Sequence, residues 1–121
     1  MTRCGIAHLA DRRAGVLPSG QRRLVELARA LAGEYELLLL DEPSSGLDAN
    51  ETAEFANILR DVVRDEGRGI LLVEHDMSLV RAACEYTYVL DFGKLIGEGP
   101  TAEVLASPAV RAAYLGEADV A

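Results

Sequence analysis

Two unbroken apolar runs, Leu37 to Leu40 and Ile70 to Val73, each end abruptly in charged residues: Asp41-Glu42 after the first and Glu74-His75-Asp76 after the second. A run that is apolar on both faces is what a parallel strand covered by helices on each side requires. Between the runs, Phe55, Ile58, Leu59, Val62 and Val63 form one helical stripe. Asp48, with Glu51 three residues on, predicts a capping box at the start of that helix, and Gly67 and Gly69 predict its end. Strand, helix, strand at this length predicts a βαβ unit with parallel strands and a right-handed crossover. Upstream, Leu24, Leu27, Ala28 and Leu31 predict an inward-facing stripe on a helix from Gln21 to about Ala32, closed by Gly33. Residues 1–16 show weak periodicity and predict the tail of a helix and a loop. Downstream, Met77 to Glu85 predicts a short helix and Tyr86 to Leu90 a third strand, with Asp91-Phe92-Gly93-Lys94 turning a hairpin back through Leu95 and Ile96. Thr101 and Ser107 predict N-caps of two closing helices, with Pro108 at the first position of the second.

Composition narrows the picture. The chain has 121 residues, half of them apolar, which suits one compact domain or most of one. A formal charge of -8, with arginines scattered along the chain, argues against a nucleic-acid surface. Cys4 and Cys84 are too few and too far apart for a disulfide framework or a zinc spacing, and they suit a reducing cytosol. The apolar runs fall far short of the roughly 18 residues of a membrane span. Residues 1–10 lack the charged-then-apolar order of a signal peptide.

The chemistry lies where the runs end. Carboxylates at the C-terminal end of a parallel strand point into the crevice where α/β folds bind ligands. Asp41 and Glu42 are therefore the first candidates, although a strand can also simply leave the core through charged residues. Leu17-Pro18-Ser19-Gly20-Gln21-Arg22-Arg23 opens a helix at a glycine-containing turn, and Ala28-Arg29-Ala30-Leu31 follows. Ser45-Gly46-Leu47-Asp48 stands just behind the acids, and His75 follows the second run.

In these motifs the chain resembles the back half of an ATP-binding-cassette (ABC) ATPase. The resemblance implies an α/β, partial P-loop NTPase fold: parallel strands with flanking helices, a C-terminal hairpin, and a missing Walker A strand between Ile70–Val73 and Tyr86–Leu90. It implies three segments, the end of a helical subdomain with the signature helix (1–32), a catalytic core (33–100) and a C-terminal helical extension (101–121). By the same resemblance, Asp41 holds Mg²⁺, Glu42 polarises the attacking water, and His75 contacts the γ-phosphate and helps place that water. Ser19, Gly20 and Gln21 belong to the signature that meets the ATP of an opposite subunit, where Pro18 and Ser19 replace the family's usual serine and first glycine. Asp48 belongs to the D-loop that couples the two sites, and the same side chain is the helix cap.

A Walker A cradle needs Gly-x-x-x-x-Gly-Lys-Ser/Thr so that backbone N–H groups and a lysine can hold phosphate oxygens. The only lysine, Lys94, is followed by Leu95, and the only glutamine, Gln21, lies inside the signature. The stretch therefore contains neither that cradle nor a separate glutamine loop. The segments Leu90-Asp91-Phe92-Gly93-Lys94, Gly97-Glu98-Gly99, Val104 to Val110 and Ala113-Tyr114-Leu115-Gly116 resemble the ATPase subunits of branched-chain amino acid importers in particular. The implied function is the C-terminal part of such a subunit, coupling ATP hydrolysis with Mg²⁺ to solute import and inactive without a Walker A half. Implied partners are a second ATPase subunit and membrane permeases, on the inner face of the cell membrane, with no nucleic acid. A non-catalytic fragment that pairs with a complete ABC ATPase, and a repair or translation ATPase, are the competing readings. With a strand missing, the chain is expected to aggregate or to need an N-terminal partner.

Overall fold

In a computed structural model of the chain, residues 4–13, 15 and 17–115 are described. The expectations for residues 1–3, 14, 16 and 116–121 lie outside the described residues. The chain divides into two compact units, Met1–Leu79 and Val80–Ala121.

The first unit holds the strand–helix–strand core. A 3₁₀ turn at Ala7–Leu9 takes the place of the expected helix tail. Helix α1 spans Ser19–Leu31, two residues earlier than periodicity predicts, because Pro18 serves as N-cap with the preset φ of -58°. Leu27 is its fully buried side chain; Leu24, Ala28 and Leu31 are only half-buried. Strand β1 spans Leu37–Asp41 and pairs in parallel with β2, Gly69–Val73, so that Leu38 stands opposite Ile70 and Asp41 opposite Val73.

Helix α2, Ala49–Glu66, links the two strands and packs against β2. Asp48 caps it as predicted: its side chain accepts the Glu51 N–H at 2.8 Å while the Glu51 carboxylate accepts the Asp48 N–H at 3.1 Å. The helix ends at Gly67, left-handed at φ 67°, a conformation that glycine adopts without a Cβ penalty. Phe55, Leu59 and Val62 of the predicted stripe are buried, joined by Thr52 and Ala56, whereas Val63 is 45% exposed.

One expectation is revised. The β1–β2 ladder is covered on the face carrying Leu38, but Leu37, Leu39, Leu71 and Val73 on its other face are 54–69% exposed. The sequence pattern called for two covering layers, and the described residues supply one.

Helix α3, Met77–Ala83, crosses the division between the units. In the second unit, β3 (Tyr86–Asp91) and β4 (Lys94–Pro100) form the predicted antiparallel hairpin, with a register shift at Val89/Leu90. Phe92 and Gly93 turn it with φ of 49° and 77°. Two positive-φ residues in a two-residue loop match the right-handed twist of the flanking strands. Helices α4 (Thr101–Ala106) and α5 (Pro108–Val110) follow, then a wide π-type turn, Arg111–Leu115. Thr101 is not the expected cap; Pro100 takes that place, and the Thr101 hydroxyl instead meets that of Thr87 at 2.7 Å. Ser107 does stand at the N-cap of α5 with Pro108 behind it, without a side-chain cap bond. The Tyr114 hydroxyl donates to the Leu90 carbonyl. Partial burial pushes the Cys84 thiol above its ordinary pKa.

Candidate functional site

The parallel register decides which groups meet. Because Asp41 and Val73 pair at the last rung, the loops after β1 and β2 leave the same end of the ladder side by side. The Glu42 N–H extends the ladder by donating to the Val73 carbonyl at 2.7 Å. The chain then turns sharply: Glu42 sits in the left-handed region at φ 46°, and Ser45 N–H donates back to its carbonyl at 3.3 Å. That turn directs the Glu42 carboxylate toward the neighbouring loop, where His75 Nδ1 lies 3.3 Å from Glu42 Oε1. Both side chains remain open to solvent, with the histidine 68% and the glutamate 55% exposed. Asp41 is also exposed and borders an open depression of about 270 Å³, lined by Leu39, Leu40, Leu71 and Val73.

The two acids that flank His75 support this cluster. Glu74 has a wholly buried side chain and accepts N–H groups from Ser44, His75 and Asp76. Asp76 accepts from the Ser78 hydroxyl and from the N–H groups of Ser78 and Leu79, forming the start of α3. The Ser78 hydroxyl above all, then the Leu79 and Ser78 N–H groups and the nearby His75, hold the Asp76 carboxyl below its ordinary pKa against the opposing effect of burial.

The signature residues gather beside the other end of the same loop. Ser19 and Gly20 open α1, and a Cβ added at Gly46 would stand 3.3 Å from that of Ser19. At Gly20 the constraint is tighter, since an added Cβ would fall 1.4 Å from Glu51 Oε2, the side chain already committed to the capping box. Arg23 Nε donates to the Ser45 carbonyl at 3.1 Å, tying α1 to the loop. Thus Asp41, Glu42 and His75 converge at the strand ends. Ser19, Gly20 and Asp48 are grouped around Gly46 and Glu51, and Gln21 follows half-buried on α1. Glu74 carried a sequence signal, an acid directly before the histidine at a strand end; Arg23 carried none beyond its place in the signature.

Among the described residues no three His, Cys, Asp or Glu side chains gather to hold a metal. That excludes a cage built from these side chains alone. Mg²⁺ keeps waters and phosphate oxygens and takes only one or two protein carboxylates, so a single exposed acid such as Asp41 could serve it only alongside them. No helix among the described residues is long and apolar enough to cross a membrane.

Known proteins resemble this chain in sequence and fold. Residues 1–45 match the ABC transporter family, and residues 94–120 match the family described as branched-chain amino acid ATP-binding cassette transporter. The lipopolysaccharide export system ATP-binding protein LptB of Escherichia coli is 39% identical over 112 residues, 93% of this chain and 46% of that protein. The high-affinity branched-chain amino acid transport ATP-binding protein LivG of Salmonella typhimurium is 37% identical over 118 residues, 98% of this chain and 46% of that protein. The chain therefore spans about half the length of the curated relatives it matches. Among solved structures, an ATP-binding cassette of an ABC transporter in its ADP conformation superposes with a TM-score of 0.83 at 32% identity, over 96% of this chain and 47% of that one. The cbiO1 protein of Clostridium perfringens, part of the ABC transporter complex cbiONQ, gives 0.80 at 32% identity, over 98% of this chain and 48% of that one. By motif, sequence and fold, this chain belongs to the ATPase family of the ABC transporters and spans about half of one such cassette.

Proposed function

We propose that the chain is the C-terminal part of a transporter ATPase subunit that couples ATP hydrolysis to the import of branched-chain amino acids or similar solutes. The observation that carries the catalytic side is the convergence of Asp41, Glu42 and His75 at one end of a parallel ladder, with Glu42 and His75 3.3 Å apart. When bound, Mg²⁺ would neutralise developing phosphate charge, with Asp41 as its protein donor. Glu42 would accept a proton from, or orient, an attacking water that His75 could also reach. Ser19, Gly20 and Gln21 would present the α1 N-terminus to the phosphates of a second subunit, and Asp48 would sit at the junction with it. The solute assignment is supported by the match of residues 94–120 and by the LivG relative; LptB, of similar identity, is named for lipopolysaccharide export. Partners would be a second ATPase subunit and membrane permeases at the cytoplasmic face.

Phosphoryl transfer depends mainly on positioning and charge stabilisation, and this stretch has no phosphate cradle. The 121-residue chain alone should show no appreciable ATP turnover, whereas a cassette joining it to a Walker A half should hydrolyse ATP with Mg²⁺ and lose that activity in Glu42→Gln. Turnover by the chain alone that Glu42→Gln abolishes would contradict the first expectation. Restored leucine uptake in cells lacking their own importer ATPase tests the solute; hydrolysis without restored uptake would overturn that assignment.

A further inference from the structure

Nothing in the proposed chemistry calls on Glu74, yet its side chain is 0% exposed, the costliest setting for a carboxylate. Three backbone donors offset that cost. Oε2 accepts Ser44 N–H at 3.1 Å, and Oε1 accepts His75 N–H at 3.0 Å and Asp76 N–H at 3.2 Å. Those donors come from two different loops, one leaving β1 and the other leaving β2. The same Oε1 lies 3.5 Å from His75 Nδ1. The two carboxylate oxygens thus divide the loops between them, Oε2 accepting from the first and Oε1 from the second. A glutamine would turn an NH₂ toward one of the two loops, setting donor against donor.

We infer that Glu74 is a positioning residue: its buried carboxylate fastens the loop after β1 to the loop after β2, and so holds His75 against Glu42. What the Glu42–His75 pair then does rests on the proposed function; the fastening itself does not. Because Ser44 lies two residues beyond Glu42, losing its bond frees the segment that carries Glu42. Losing the other two frees the segment that carries His75.

The test uses a cassette joining the 121-residue chain to a Walker A half, with the backbone amides of this stretch and the imidazoles of its two histidines observed by ¹⁵N NMR. In the wild-type chain His75 should carry its proton on Nδ1, the nitrogen that faces two carboxylate oxygens. In Glu74→Gln the His75 ring-nitrogen shifts should move toward the other tautomer. Exchange protection at Ser44, His75 and Asp76 should fall by about tenfold, as expected for losing hydrogen bonds to a charged acceptor. Glu42→Gln should move the His75 ring signals and leave those three amides in place. Should Glu74→Gln not fold, Glu74→Asp is read the same way, since the shorter side chain cannot span both loops. Unmoved ring nitrogens in a folded Glu74 variant would overturn the proposal, even if its stability fell, because a purely structural role predicts that outcome. A failure to bind or hydrolyse ATP would count against the functional reading and leave these signals as they are.

Discussion

The two faces of the β1–β2 ladder are built from the same residue types and meet different surroundings. Leu38, on one face, is 5% exposed; Leu39, the next residue and on the other face, is 69% exposed. Sequence pattern records what a strand is suited to lie against, whereas burial records what lies against it in this stretch of chain. The hairpin repeats the contrast within its own unit: Val89 is 7% exposed, while its neighbours Tyr88 and Leu90 are 60% and 57% exposed.

Substitutions can break or sharpen that contrast. The largest loss is expected on the covered side, where Phe55→Ala should lower the unfolding free energy by about 3–5 kcal/mol in a urea titration, since its ring is 2% exposed. Leu38→Ala should cost about 2–5 kcal/mol. Asp48→Ala removes one half of the capping box and should cost about 1 kcal/mol, with a matching loss of helicity by circular dichroism. Leu39→Ala should stay within about 0.5 kcal/mol, and an equal cost at positions 38 and 39 would dissolve the contrast altogether.

The smallest effect is conditional on pH. The Asp76 carboxyl is held below its ordinary value, so the stability it contributes is present above the unfolded value of 3.8 and is lost as pH falls through the folded value. Asp76→Asn should therefore be less stable than wild type at neutral pH, and the two urea midpoints should converge as the solution is acidified below about pH 4.

The βαβ unit, the Asp48 cap and the hairpin turn were legible because each rests on local chemistry: period, a capping box, a Phe-Gly turn between apolar strands. Asp41, Glu42 and His75 were legible as candidates because parallel strands deliver their ends to one edge. Four features were not. The open face of β1–β2 depends on how many layers are present, which no local pattern states. The early start of α1 and the displacement of Thr101 from its cap both turned on a preceding proline taking the N-cap position. Glu74 showed as an acid before the histidine, but its role was hidden, because no local pattern tells that the Ser44 amide, 30 residues earlier, closes over it.

Glu42 holds its carboxylate toward His75 only by adopting a backbone conformation that disfavours any side chain, at a cost of about 1–2 kcal/mol. Glycine at that position would relieve the loop of that penalty and forfeit the group that meets the imidazole. Durability and the contact with His75 pull this one position in opposite directions, so a variant selected for heat resistance alone would tend to surrender that contact.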